Sequence, residues 1–348
     1  MRENVKYYQE DNYAQLVRTV DLKKDFTNND FVYVDEFAYD FLWRVQLKEP
    51  NIVLPNIGAN IGEKYYVSPE NLPKEKNVLG PNAILLRSKC NDTHFVYFRL
   101  STSSYDNEMK KLVGASGQPK FNKTDLKKVR LFMPSLKEQK KISHFLGLLE
   151  ERIATQNKII NKLQSLIKGI RNNVFGKLRK SVGFNAMISD VLSYEQPQPY
   201  IVENTEYTAE GTPVLTANKA FVLGYTSETN GIYDKGDCII FDDFTLDCKY
   251  VDFPYKIKSS AIKILTAKNK EILRYTFEFL KYLDLSTDEH KRHYIAETQN
   301  QEFVLPTMQI VRTIAHAFSA LLLRMESVVK QRNMFETQKQ YLLRQMFI

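Results

Sequence analysis

From Leu149 onward, apolar side chains recur at Ile153, Ile160, Leu163, Ile167, Ile170 and Val174, with Gln156 in the one polar place, so the spacing alternates between four residues and three. This is the seven-residue seam of a coiled coil, and it predicts a long helix from Ser135 to about Gly176. Pro134 leads into it, Ser135 is placed to cap it, and Glu138 three residues later completes a capping box. At a fixed offset of 172 residues a second seam runs through Leu321, Met325, Val328, Arg332, Phe335, Lys339, Leu342 and Met346. Two charged positions make it less regular, yet Pro306, Thr307 and the length recur. Ile142/Ile314, His144/His316, Arg152/Arg324 and Phe175/Phe347 keep the same offset without a gap, which marks a tandem duplication. Two such seams in one chain are expected to pack on each other, antiparallel.

The stretch before each helix is different: rich in Tyr and Phe, and broken by Gly, Pro and Asn. NIVLPNIGANIGEKYYV (51–67), GPNAILLRSK (80–89) and HFVYFRL (94–100) read as short strands separated by turns. GTPVLTANKAFVLGYT (211–226), GDCIIFDDFTLDCKYVDF (236–253) and SSAIKILTAKN (259–269) read the same way, and EILRYTFEFLKYL (271–283) reads as a helix. Asn82-Ala83-Ile84 echoes Ser260-Ala261-Ile262, and Glu63-Lys64-Tyr65 echoes Cys248-Lys249-Tyr250, but only with changing offsets, so loop lengths have drifted between the copies. The fold class is α+β, with two strand-rich globular parts, each followed by a long helix, in a pseudo-twofold repeat. The expected boundaries are 1–133, 134–180, 181–305 and 306–348.

Composition narrows the partner. A length of 348 residues leaves room for two domains with cores of their own. The net charge of +8 and pI near 9.0 favour a polyanion. Lys158, Lys162, Lys168, Arg171, Lys177, Arg179 and Lys180 follow one another with no acid between them, as on a solvated helix face or a surface for phosphate or an acidic partner. The three cysteines form no C-x-x-C pair, so neither a disulfide framework nor a thiolate zinc site is expected. The start, MRENVKYYQEDN, has no apolar core of a signal peptide and no apolar run has the length of a membrane span, so a reduced cytoplasm is the expected compartment.

Signals for catalysis are weak. Asp242, Asp243 and Asp247 with Lys249 faintly resemble a metal-dependent nuclease site, but acids so close in sequence more naturally span a hairpin turn. Gly58 to Lys64 lacks the spacing of a phosphate loop and reads as a turn. His290 and His293 have no third ligand beside them and are expected to be solvated or DNA-facing. His144 and His316 are expected at packing or partner contacts. No nucleophile elbow, dinucleotide fingerprint, N-P-P-Y or helicase motif is present, and no catalytic residue, metal or cofactor is assigned.

Four stretches carry a resemblance. LFMPSLKEQKKISHFLGLLEERIATQNKIINKLQSLIKGI (131–170) resembles the P-x-L-x-E-Q-x-x-I helix start and conserved helix of the specificity subunits of type I restriction–modification systems. GASGQPKFNKTDLKKVRLFMP (114–134) resembles the end of a target recognition domain in that family, and GTPVLTANKAF with GDCIIFDDF resembles strand blocks of a second one. The second helix start departs from the pattern, with Gln309-Ile310-Val311 where E-Q belongs.

The resemblance implies a non-catalytic reader of double-stranded DNA. Each recognition domain would read half of a split sequence. The paired helices would set the gap and recruit two methyltransferase subunits, which methylate adenine, and restriction subunits, which translocate and cleave. Loop cations and amides are then the candidate DNA contacts: Arg18, Asn60, Lys64, Lys89, Lys120 and Asn122 in the first domain, and Lys219, Lys249, Tyr250 and Lys258 in the second. About 15 residues precede QLVRTVDL (15–22), against about 30 (182–212) before the matching PVLTANKA, so the first domain is expected to be trimmed at its N-terminus, with an edge strand in question. Two competing readings are a nuclease built on the acids above and a coiled-coil adaptor that reads no DNA.

Overall fold

The computed structural model describes residues 5–57, 61–112, 120–217, 220–289 and 291–347. The chain divides into two units, Met1–Gln156 with Gln331–Ile348, and Asn157–Lys330. The first begins with β1 (Ala14–Val17), α1 (Thr19–Lys23), β2 (Val32–Val34) and α2 (Glu36–Phe41), then β3 (Asn51–Pro55), β4 (Tyr65–Val67), β5 (Asn77–Leu79) and β6 (Ala83–Leu86). Helices α3 (Thr93–Leu100), α4 (Ser103–Leu112) and α5 (Lys123–Leu126) lead into the long α6 (Leu136–Ser181). The second unit holds β7 (Ala186–Met187), α7 (Ile188–Val191), β8 (Leu192–Glu195), β9 (Thr212–Leu215), β10 (Val222–Thr226), β11 (Cys238–Asp242) and β12 (Cys248–Val251). It continues through β13 (Lys256–Ile257), β14 (Ile262–Ala267), α8 (Leu273–Leu283) and β15 (Glu302–Phe303) to α9 (Met308–Met346). Residues 136–156 and 331–346 of the long helices belong to the first unit, and 157–181 and 308–330 to the second.

The duplication extends to the sheets. The first unit has β2-β1-β5, with β1 and β5 parallel, and an antiparallel β4-β3-β6. The second has β10-β9-β13, with β9 and β13 parallel, and an antiparallel β12-β11-β14-β8. Strand for strand the orders correspond, which places β6 at the position of β14 and β4 at the position of β12, as the sequence echoes require. Two differences remain among the described residues: β14 has β8 on its outer side where no described strand lies outside β6, and the two-stranded β15-β7 of the second unit has no described counterpart in the first.

HFVYFRL (94–100) is a helix, not the expected strand. Its aromatic and branched residues suit a strand, but Asp92 caps it by accepting from the Phe95 N–H at 2.8 Å. Phe95 and Phe98, three apart, pack on Leu146, Leu149, Leu343 and Phe347, while Val96 and Leu100, four apart, pack on Ile52, Leu54 and Ile84 of the sheet. A helix covered on two sides is apolar on two faces, and its period is hidden. In the second unit α8 takes the same place, and EILRYTFEFLKYL forms the helix its sequence predicts.

Within each unit the long helices pack antiparallel. In the first, Leu146 and Leu149 meet Leu343 and Phe347, and Arg152 lies over the Phe335 ring. In the second, Ile167 and Phe175 share a core with Val311 and Phe318. Of the expected seam, Leu149, Ile153, Ile167 and Val328 are buried. Ile160, Leu163, Ile170, Leu321, Met325, Phe335 and Leu342 are half-buried, and Met346 is exposed. The charged seam position Lys339 is accommodated by Glu150, whose Oε1 accepts from it at 2.6 Å while Oε2 faces His94 Nε2 at 3.3 Å. Burial would lift the Glu150 carboxyl, but His94 and Lys339 hold it below the usual carboxylate range.

The first helix start forms as predicted. Ser135 Oγ donates to Glu138 Oε2 at 2.7 Å, and the Ser135 N–H donates to the same oxygen. The neighbouring Gln139, buried, accepts from the Asp92 N–H and donates to Asn91, tying α6 to the start of α3. At the same offset the second copy has Val311, fully buried, and Asn185 instead clamps Leu305 through both its N–H and its carbonyl. His144 and His316 are exposed, so neither is a packing residue within its unit.

In the second unit Arg171 grips Glu278 Oε2 through Nε at 2.9 Å and a terminal nitrogen at 2.7 Å, with the Glu278 side chain fully buried. Burial lifts the Glu278 carboxyl above its ordinary range although Arg171 opposes it. Arg171→Met should destabilise the fold by about 3–5 kcal/mol at neutral pH, because an unpaired carboxylate is left inside. An acid whose pKa is raised on folding adds stability only while protonated, so the deficit should shrink as the pH falls towards the unfolded value of about 4.3. Urea unfolding of both proteins at several pH values measures this, and a deficit independent of pH would contradict it.

Candidate nucleic-acid interface

At one end of each unit the loops are closed by main-chain hydrogen bonds. In the first unit the Gly80 N–H donates to Val17 O at 2.8 Å, joining the ends of the parallel strands β5 and β1. The Asn56 N–H donates to Asn82 O, and the Phe121 N–H to Asn56 O, both at 3.2 Å. The segments around 18, 56, 80–82 and 120–123 therefore gather around a cavity of about 430 Å³. Its lining combines Tyr7 and Phe41 with Asn56, Asn82, Asn122 and Lys123. Asn82 lies in the left-handed region, φ 66°, which Asn tolerates with little strain.

The second unit repeats the closure. The Lys258 N–H donates to Leu215 O at 3.1 Å, joining β13 to β9 as Gly80 and Val17 join β5 to β1. The Asp243 N–H donates to Ala261 O, and the His293 N–H to Asp243 O. Loops 243–247, 258–261 and 291–294 thus share one end, with Arg292 over the Phe244 ring and Lys258 Nζ 5.9 Å from the Tyr207 ring. Cations beside aromatic rings and amides can bond both phosphates and base edges.

The sequence-predicted contacts divide. Lys120, Asn122 and Lys258 are exposed at these loop ends. Asn122 also caps α5, its side-chain oxygen accepting from the Thr124 and Asp125 N–H groups. Arg18 is held by Asp21 at 2.7 and 3.0 Å and also donates to Asp30. Lys64 is mostly buried, paired with Asp106 and set over Tyr105. Lys249 is half-buried within β12. The Tyr250 hydroxyl donates to Asp237 at 2.6 Å, and Arg274 stacks on its ring at 3.4 Å. Lys89 is exposed beyond the far end of β6. Asn60 and Lys219 lie outside the described residues, as do Gly58, Ala59 and His290. Sequence reading missed Asn56 and Asn82, whose only signal was their place next to strand ends, Lys123 at the start of α5, and Arg292 in the loop between α8 and β15.

The nuclease reading fails on the use of its carboxylates. Asp242 Oδ1 accepts from the Phe244 and Thr245 N–H groups and shapes the turn. Asp243 is buried, its Oδ1 accepting from the His293 and Tyr294 N–H groups at 3.0 and 2.7 Å and its Oδ2 3.6 Å from Lys263 Nζ. Burial lowers the Lys263 pKa, against the pull of Asp243. His293 is buried rather than solvated, bonded to Glu297 at 2.9 Å, which raises its pKa. No group of His, Cys, Asp or Glu among the described residues is arranged to hold a metal ion. No described helix is long and apolar enough to cross a membrane.

Asp243→Ala should destabilise the second unit by about 3–5 kcal/mol, since it strips a buried lysine and two buried N–H groups of their partner. Asp243→Asn keeps the Oδ1 acceptor and should lose clearly less. Thermal unfolding ranks the variants; equal losses would show that the two N–H bonds contribute nothing.

Comparison with known proteins agrees with the residue-level resemblance. Residues 7–165 match the family model of the type I restriction modification DNA specificity domain. The type I restriction enzyme EcoR124I/EcoR124II specificity subunit of Escherichia coli is 43% identical over 126 residues, which are 34% of this chain and only 31% of that protein's length. The crystal structure of a type I restriction–modification system S subunit from M. genitalium shares the fold, with a TM-score of 0.62 at 17% identity over 86% of this chain and 83% of that one.

Proposed function

We propose that this chain, a member over residues 7–165 of the type I restriction modification DNA specificity family, is the subunit that chooses the DNA sequence for such a complex. Residues 1–133 and 181–305 act as two target recognition domains. Each presents the loop end described above to one half of a split site. The helices α6 and α9 set the unspecified gap and carry two methyltransferase subunits, with restriction subunits joining that assembly in the cytoplasm. The chain itself performs no chemistry.

The observation that supports this best is the repeated closure. The bond Gly80 N–H to Val17 O recurs as Lys258 N–H to Leu215 O, so one backbone frame is built twice while its side chains differ, glycine in one copy and lysine in the other. Two reading heads of one design with different chemistry are what a bipartite, asymmetric target demands.

Mapping of adenine methylation in a methylation-free bacterium tests the proposal, with the modification subunit expressed alone and together with this chain. The expected result is a new motif of two short halves with a fixed gap; no new methylation from an assembled complex would overturn it. In that complex Lys258→Ala should weaken DNA binding across sequences and reduce the slope of log affinity against log salt by about one, measured by titration at several salt concentrations. An unchanged slope would remove Lys258 from the contact surface.

A further inference from the structure

One of the bonds that close the loop ends is made by very different residues in the two copies. In the first unit the Phe121 N–H donates to Asn56 O, and the Phe121 ring is buried in the apolar cluster of Ile52, Leu54 and Val96. In the second the His293 N–H donates to Asp243 O, and the side chain buried there is an imidazole. A phenyl ring needs no proton to stay in place. The His293 ring does.

Its two nitrogens face two oxygens. Nδ1 lies 2.9 Å from Glu297 Oε2, and Nε2 lies 3.3 Å from the Glu289 carbonyl. Lys291 and His293 hold the Glu297 carboxyl below the usual carboxylate range, so at neutral pH it can only accept, as the carbonyl does. A neutral imidazole has one N–H and satisfies one of these oxygens, whereas the imidazolium satisfies both. The charged ring therefore ties Glu289 to Glu297 across the segment between them. Lys291, which meets the same two acids at 2.5 and 2.9 Å, adds to this tie while its charge opposes that of the ring. From the neighbouring turn, Asp243 accepts from the His293 main-chain N–H through both its carbonyl and its Oδ1, and its Oδ2 faces Lys263 of β14 at 3.6 Å. Arg292, next in the chain, is exposed beside the Phe244 ring, and no carboxylate among the described residues pairs with it.

Resting on the DNA-reading proposal, we infer that His293 is a positioning residue for DNA: its imidazolium form holds residues 289–297, and with them Arg292, against the turn 243–247, so that binding of one half-site is linked to a proton. The bond to Glu297 raises the His293 pKa above its ordinary value of 6.5, against the effect of burial. A group raised in this way contributes fully below its ordinary value, and the contribution is lost as the pH rises through the folded value. The tie is thus complete in mild acid and loosens on the alkaline side.

The assembled complex is titrated with DNA carrying the motif found by methylation mapping, at fixed salt, from about pH 6 to about pH 9. Affinity is expected to fall about fivefold over that range, the lower end of what one misplaced arginine contact costs. Glu297→Gln keeps an acceptor for Nδ1 but removes the charge that favours the imidazolium, and its side chain is half exposed, so the fold should stand while the midpoint moves to lower pH. Arg292→Ala should bind more weakly at the acid end and lose the step. The ring itself is followed by NMR of the full chain with 13C-labelled histidine, its signal identified by its loss in His293→Phe; Glu297→Gln should lower that midpoint too. Binding that does not change with pH, a midpoint that Glu297→Gln leaves in place, or a full step in Arg292→Ala overturns the inference alone. A complex that binds no DNA at any pH overturns the DNA-reading proposal and the inference together.

Discussion

Helices α3 and α8 each carry more apolar surface than one sheet can cover, and both units are organised around that excess. On α3, Val96 and Leu100 face the sheet while Phe95 and Phe98 face the long helices. On α8, Phe277 meets Tyr250 of β12, while Tyr275 and Phe279 meet Phe175 of α6 with ring centroids 5.2 and 5.4 Å apart. Each such ring contributes roughly 2–3 kcal/mol when fully buried. The long helices therefore do more than close on one another: their seam supplies the second wall that α3 and α8 require. This is why each unit contains a piece of both helices rather than a globular part with a spacer attached.

Polar ties add direction to this contact, and the two copies make them differently. In the first unit the acid is on α6, and Glu150 has two partners, His94 from α3 and Lys339 from α9. In the second the cation is on α6, and Arg171 holds one oxygen of Glu278 while the other has no hydrogen-bond partner. The sense of each carboxyl's pKa follows from that difference. Two partners outweigh burial for Glu150, and one does not for Glu278. Removing the acid leaves different groups unpaired in the two units, an imidazole and an ammonium in one, a guanidinium in the other.

The elements governed by a single period were legible in the sequence. The seven-residue seam located both long helices, and the short apolar runs bounded by Gly, Pro and Asn located the strands β3, β6, β9, β11 and β14. HFVYFRL was misread because burial on two faces erases the polar stripe that betrays a helix. The loop ends were legible as places but not as chemistry. Arg18 and Lys64 looked like free cations in the sequence, yet Asp21 and Asp106 hold them, and such partners, unlike a period, leave no mark on local sequence. Asn56 and Asn82 showed the reverse: ordinary turn residues in the sequence, brought together by bonds between distant segments.

The bonds that close the loop ends run from main chain to main chain, whichever side chain the donor carries. Gly80 and Lys258 occupy one place in one frame; the second copy accommodates a side chain there, whereas a Cβ built on Gly80 would lie 3.2 Å from Val17 O, which would have to give by a few tenths of an ångström. Holding the frame and displaying the side chains are therefore separate tasks. Mutation can alter what is displayed without the fold having to be rebuilt around it, and a loop exchanged between related chains arrives with its geometry already defined. A protein divided in this way can diverge quickly at its tips while its interior drifts slowly, so that variety accumulates at the exposed loop ends.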